Sequence, residues 1–98
     1  MFVNIIKSYR NIVAVCDEEL LGKYFSEGNF QLEVKESFFY GNSYSEDETI
    51  LIMKKMFKED ATFNIVGENS VRAAIKAEII NEDCIKRIQN IPFALVLL

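Results

Sequence analysis

The chain has 98 residues, of which 50% are apolar and 27% are charged, and its formal net charge is −4. It contains no histidine, which excludes histidine-based catalytic triads, histidine proton shuttles and the usual zinc sites. The negative net charge argues against broad electrostatic attachment to nucleic acid or anionic lipid, although it does not exclude a local basic patch. This length predicts one domain, spanning residues 1–98.

The first third of the chain predicts short strands joined by tight turns. Phe2 to Ser8 and Asn11 to Cys16 are rich in apolar and β-branched residues and predict a hairpin. Asp17 follows directly and is predicted to cap a short helical turn, which Gly22 ends. After a turn at Glu27-Gly28-Asn29, the alternating pattern predicts a strand from Phe30 to Val34 with the side chains of Phe30, Leu32 and Val34 buried.

Four aromatic residues surround Gly41-Asn42, namely Phe38, Phe39, Tyr40 and Tyr44. We expect two rings to enter the core and two to cover its rim. Exposed aromatic rings near basic residues also stack on single-stranded bases, so this alternative stays open.

The second half predicts two longer helices. Ser45 and Glu48 form a capping box that opens a helix running to about Lys58. Winding this helix at about 100° per residue places one apolar arc inward, consisting of Ile50, Ile52, Met53, Met56 and Phe57. Further along the chain, the pattern predicts a strand over Thr62–Val66, a helix from Gly67 to about Ala77, and strands over Ile85–Ile88 and Phe93–Leu98.

Together these elements predict an α/β (α+β) fold, with a mixed β-sheet, two main helices and a short helical turn. The strand from Phe93 to Leu98 is apolar on both faces, which is typical of an interior strand or of a contact between two copies in a homodimer. The two cysteines, Cys16 and Cys84, show no metal-binding spacing, and the N-terminus has no signal peptide pattern. We therefore expect a cytoplasmic protein that is not associated with membranes.

Two blocks of sequence carry a family resemblance. Residues 14–28, A-V-C-D-E-E-L-L-G-K-Y-F-S-E-G, and residues 32–41, L-E-V-K-E-S-F-F-Y-G, are similar to an archaeal family catalogued as domain of unknown function 424. Later matches are N-I-V-G-E at residues 64–68, then Ile88, Ile91-Pro92 and Ala94. The resemblance runs nearly end to end and implies a cytosolic archaeal protein with a link to RNA or to translation.

The chain departs from the family pattern in two places. Phe93 and Leu95 stand where the family usually has a histidine and a glutamine, so a function that depends on those polar groups does not transfer. Glu78 stands where the family favours glycine at a helix end. We predict either that Glu78 adopts the left-handed conformation or that the helix continues past it.

Three features could carry chemistry. Cys16 precedes a helical turn and could be a nucleophile. The three acids that follow would raise the pKa of its thiol, so we favour the interpretation that Cys16 is a small, buried, apolar residue. Those acids, Asp17, Glu18 and Glu19, could bind a hard cation with Glu27 or Glu33, but consecutive positions point in different directions. The strand–glycine–helix junction at Gly67 could hold an anion, although helix entry alone is the favoured interpretation. No cofactor or metal is therefore expected.

The positive charge gathers in the second half of the chain. If the two long helices lie side by side, they form a basic face whose predicted binding residues are Leu51, Lys54, Lys55, Lys58, Arg72 and Lys76. The leading hypothesis is a non-catalytic binding module that contacts RNA or a translation-associated protein. The alternatives are a small enzyme or metabolite-binding domain using Cys16 or Gly67, and a structural protein that dimerises through its C-terminal strand.

Overall fold

The computed structural model describes residues 1–97 as eight strands and three helices. The strands are β1 (Phe2–Ile6), β2 (Ile12–Cys16), β3 (Tyr24–Glu27), β4 (Phe30–Glu33), β5 (Asn42–Ser43), β6 (Thr62–Val66), β7 (Lys86–Ile88) and β8 (Ile91–Val96). The helices are α1 (Glu36–Phe39), α2 (Glu46–Lys58) and α3 (Glu68–Lys76), and 3-10 turns cover Glu18–Leu20 and Glu82–Cys84. The predicted α+β class is confirmed. Leu98, the last residue of the predicted C-terminal strand, lies outside the described residues.

Six strands form one mixed sheet in the order β5-β1-β2-β6-β8-β7. The central pair, β2 and β6, is parallel, with Cys16 opposite Val66, whereas the other neighbours are antiparallel. Parallel strands require a long crossover, and the chain between β2 and β6 supplies it. The carboxyl ends of β2 and β6 therefore lie side by side, directly before the start of α3.

One face of the sheet is covered by α2 and α3. Side chains alternate along a strand, so Val13 and Val15 of β2 face the helices while Ala14 and Cys16 face the other way. Phe63 and Met53 are fully buried in the core between the helices and the sheet. Both long helices thus lie on the same side, as the predicted basic face requires.

The opposite face is covered in part by α1 and by the separate β3–β4 hairpin. The second core on this side contains Ala14, Cys16, Leu20, Val34, Phe39 and Val66. Neither β3 nor α1 was predicted, since both are only four residues long and depend on contacts made after the chain has folded. Phe38 and Phe39 contribute to this core while Tyr40 and Tyr44 lie at the rim, which matches the expected division of the aromatic rings.

The prediction that Phe30 is buried was wrong, because its side chain is 71% exposed. The hairpin pairs with itself and not with the main sheet, and its tip is anchored at the β7–β8 turn. There the Gln89 backbone N–H donates to Glu27 Oε1 at 2.8 Å, and Gln89 Nε2 donates to the Ser26 carbonyl at 2.6 Å. Phe30 pairs with Glu27 at this tip.

The C-terminal strand begins at Ile91 and lies inside the sheet, between β6 and β7. Its interior position accounts for much of its two-sided apolar pattern, and Phe93 packs against the second core. Leu95 and Leu97, beyond the reach of β7, are 53% and 70% exposed. A homodimer that uses this end of the strand stays a prediction.

Both long helices end in the same way, with an acidic residue in the left-handed conformation. After α3, Glu78 has φ 63°, its N–H donates to the Ile75 carbonyl, and the Ile79 N–H donates to the Ala74 carbonyl. This pair of hydrogen bonds is a Schellman motif. The first of the two outcomes predicted for Glu78 is thereby confirmed. After α2, Asp60 has φ 61° and makes the equivalent turn.

Candidate binding surface on the paired helices

The start of α3 is occupied by a carboxylate from the same chain. Asp17 Oδ2 accepts from the Asn69 N–H at 3.1 Å, and Asp17 Oδ1 accepts from the Ser70 N–H at 2.8 Å and from Ser70 Oγ at 2.7 Å. Asp17 is 3% exposed, so these bonds are shielded from water. The prediction that Asp17 caps its own helical turn was therefore wrong: its side chain makes no capping bond there.

Gly67 makes room for this buried carboxylate. Its φ is 111°, and a Cβ atom at this position would overlap the Asp17 carboxyl group. Because the N–H groups at the start of α3 are already bound to Asp17, the junction is filled and offers no place for an external anion. The structure thus gives the Gly67 junction a structural role, so the alternative of a small enzyme or metabolite-binding domain loses one of the two features that it would use.

Cys16 lies directly before Asp17 and is fully buried. Burial, followed by the neighbouring Asp17 carboxylate, raises the pKa of the Cys16 thiol to about 12. At neutral pH the sulfur is therefore a protonated thiol without access to solvent, which is the reverse of what a nucleophile needs. This arrangement supports the buried apolar interpretation of Cys16.

The three acids that follow Cys16 do not converge. Asp17 is buried beneath α3, whereas Glu18 accepts from Ser43 Oγ and pairs with the Met1 amino group at 3.2 Å. The Ser43 hydrogen bond, followed by that of the Met1 amino group, lowers the pKa of Glu18. Within residues 1–97, no three acidic or cysteine side chains are placed to hold a metal ion together.

The helices α2 and α3 are linked by one glutamate. Glu46, in the first turn of α2, accepts from Arg72 Nε at 3.1 Å and from Lys76 Nζ at 3.1 Å. The hydrogen bond from Lys76, followed by that from Arg72, lowers the pKa of Glu46. Two of the predicted binding cations are thus already paired inside the molecule with one carboxylate, which offsets one of their two positive charges.

The lysines of α2 are placed differently. Leu51, Lys54, Lys55 and Lys58 lie on its outer side, and we call these four residues the lysine face. Leu51 is 68% exposed, and all three lysines are exposed. None of the ion pairs found among residues 1–97 involves these lysines. The structure therefore separates the predicted basic face into a paired part on α3 and an available part on α2.

Phe57 was assigned to the core by its position on the helical arc, but it is 41% exposed. It lines a shallow recess of about 230 Å³ together with Lys54, Lys58, Ala77 and Glu78. The sequence gives no signal for this recess, because it depends on where the neighbouring helix α3 stops. It places an aromatic ring directly beside two lysines of the lysine face.

A larger open groove of about 500 Å³ runs below the end of α3, lined by apolar residues such as Ile75 and Ile79 and by the exposed thiol of Cys84. None of its lining residues is a cation. The lysine face and its recess are therefore a better match than this groove for an acidic ligand.

None of the helices described in residues 1–97 is long and apolar enough to cross a membrane.

Comparisons with known proteins add a family and a fold. A family model described as Protein of unknown function (DUF424) matches residues 6–98. The fold is similar to the crystal structure of an uncharacterized conserved protein from the archaeon Methanopyrus kandleri, with a TM-score of 0.87 and 24% sequence identity. The match covers 97% of this chain and 88% of that one, and at this identity it shows the fold alone. The comparison with curated proteins finds no match.

Proposed function

We propose that this chain, which belongs to the family described as Protein of unknown function (DUF424), is a non-catalytic module that binds an acidic segment of a partner protein. The family expected from the sequence resemblance is thereby confirmed. The observation that carries the proposal is the lysine face, where an exposed leucine lies on the same side of α2 as three lysines that make no ion pair within residues 1–97. An exposed apolar side chain next to charged groups can supply the apolar contact and the polar rim of a protein-binding surface.

The charge around the lysine face favours a short acidic segment over RNA. Acidic residues flank the lysines at both ends of α2, with Asp47 and Glu48 at its start and Glu59 and Asp60 just beyond its end. A long polyanion that extends past the lysines would meet these carboxylates, and the net charge of −4 would repel it more strongly than a short segment with few charges. A short segment with a few carboxylates and an apolar side chain would match both the three lysines and Leu51.

Two of the three features considered for chemistry, Cys16 and the Gly67 junction, have structural roles, which supports the non-catalytic part of the proposal. The Cys16 thiol is buried with a raised pKa, and the backbone N–H groups at the start of α3 bind Asp17.

The proposal is tested by titrating the ¹⁵N-labelled protein with a glutamate-rich peptide that carries one leucine. We expect amide shift changes concentrated on the outer side of α2, and an affinity that falls as salt is raised. The variant K54E/K55E/K58E should weaken binding at least tenfold, because three attractive charges become repulsive.

A matched control is K7E/K23E/K35E, which makes the same change in net charge at three exposed lysines outside α2. It should bind far better than the α2 variant. If both variants weakened peptide binding equally, the loss would be explained by net charge alone, and the proposal would be overturned. A single-stranded oligouridylate serves as a parallel probe: tight binding of this RNA at the lysine face, with no binding of the peptide, would also overturn it.

A further inference from the structure

The recess beside Phe57 lies where the last turn of α2 meets the end of α3. Helix α3 ends in the Schellman turn at Glu78, and from there the chain returns to the core, where Ile79 and Ile80 are buried. The Phe57 ring is left half covered, with Ala77 beside it.

We propose that this recess receives one apolar side chain of the partner, so that the segment recognised is acidic and carries an apolar anchor. The inference rests on the proposed function, because the anchor is expected to enter between the same lysines that bind the carboxylates. A volume of about 230 Å³ is below the usual range of small-molecule pockets, about 300–1,000 Å³, and is suited to a single side chain.

The residues around the recess determine what accompanies the anchor. Lys54 and Lys58 are four positions apart and line the recess beside Phe57. Their aliphatic stems can cover an apolar anchor while their ammonium groups contact neighbouring carboxylates. Glu78 also lines the recess, so carboxylates of the partner are expected on the lysine side and not beside Glu78.

The first test uses the unmodified protein with a set of glutamate-rich peptides that differ only at one central position, occupied by glycine, alanine, leucine or phenylalanine. Partial burial of a leucine or phenylalanine anchor should tighten binding about fivefold or more relative to glycine. The signals of the Phe57 ring should shift only with the larger anchors. Equal affinities across the set would overturn the inference.

The second test removes the ring. Phe57→Ala should abolish the preference for leucine over glycine, so that the two peptides bind with equal affinity. Phe30→Ala is the matched control, because it removes an exposed phenylalanine from the β3–β4 hairpin and should keep the preference. If Phe57→Ala also kept it, the anchor would lie elsewhere and the inference would be wrong.

The two proposals fail in different ways. If K54E/K55E/K58E loses all the peptides but the unmodified protein shows no anchor preference, the lysine face stands and the recess has no role in recognition. If none of the peptides binds the unmodified protein, the proposed function fails and the inference fails with it. Circular dichroism of each variant checks that its fold is retained. The first test uses only the unmodified protein, so its result does not depend on the folding of a variant.

Discussion

The two long helices begin in opposite ways. Helix α2 is capped by its own neighbours, since Ser45 Oγ accepts from the Glu48 N–H at 3.2 Å and Glu48 Oε1 accepts from the Ser45 N–H at 2.9 Å. Helix α3 is capped by Asp17, which lies more than 50 residues earlier in the chain and is buried. The first cap is local and exposed to water, whereas the second joins distant parts of the core. The free backbone N–H groups at the start of a helix therefore find an acceptor among neighbouring residues in α2 and in a distant part of the chain in α3.

The largest expected effect comes from removing the distant cap. Asp17→Ala would leave two backbone N–H groups and the Ser70 hydroxyl without their acceptor in a buried place, so we expect a loss of about 3–4 kcal/mol in the free energy of unfolding. Ser45→Ala, at the exposed cap, should cost only about 1 kcal/mol. Urea denaturation of both variants measures the difference. Equal losses would mean that the distant cap contributes no more than the local one.

A slightly smaller effect is expected at Gly67. Gly67→Ala should cost about 2–3 kcal/mol, because the new methyl group overlaps the Asp17 carboxyl group and an alanine is strained at φ 111°. In the Asp17→Ala background the overlap is gone, so the same change should cost only about 1–2 kcal/mol, the strain of an alanine in this conformation. A double-mutant cycle by urea denaturation checks this coupling. Strictly additive losses would show that Gly67 is required by its backbone conformation alone.

The smallest effect concerns the other ends of the two helices, which are alike. Glu78→Gly should stabilise the protein by about 1 kcal/mol, because glycine adopts positive φ without strain. Asp60→Gly should gain less, because aspartate tolerates the left-handed conformation better than glutamate. Thermal unfolding midpoints measure both. A loss of stability in Glu78→Gly would show that the glutamate side chain stabilises the turn by more than the backbone strain costs.

Features that depend on adjacent residues could be predicted from the sequence. The capping box at Ser45 and the limits of α2 follow from local patterns, and the structure confirms them. The positive φ at Glu78 was one of two outcomes predicted from the family resemblance, and it is the one observed. Helix α1 and strand β3 were missed because four residues carry too little periodicity, and their stability depends on the sheet that they cover. The partner of Asp17 was missed because nothing in its neighbourhood marks a bond to Asn69 and Ser70.

The candidate site divides in the same way. Helical periodicity was enough to place Leu51 and the three lysines on the outer side of α2. It could not show that Glu46 pairs with Arg72 and Lys76, because those residues are 26 and 30 positions away. Nor could it show that Phe57 is half exposed, since that depends on the length of a different helix. Contacts between elements therefore decide which of the predicted cations are available to a partner.

The buried bond between Asp17 and the start of α3 also bears on how the chain reaches its native state. The strands β2 and β6, which this bond adjoins, are neighbours in the sheet but far apart in sequence, and closing such a loop carries an entropic cost before the contacts compensate for it. The hydrogen bonds from the first turn of α3 to Asp17 can form only once that closure has occurred. The stability of α3 in the native state is thus coupled to assembly of the central sheet.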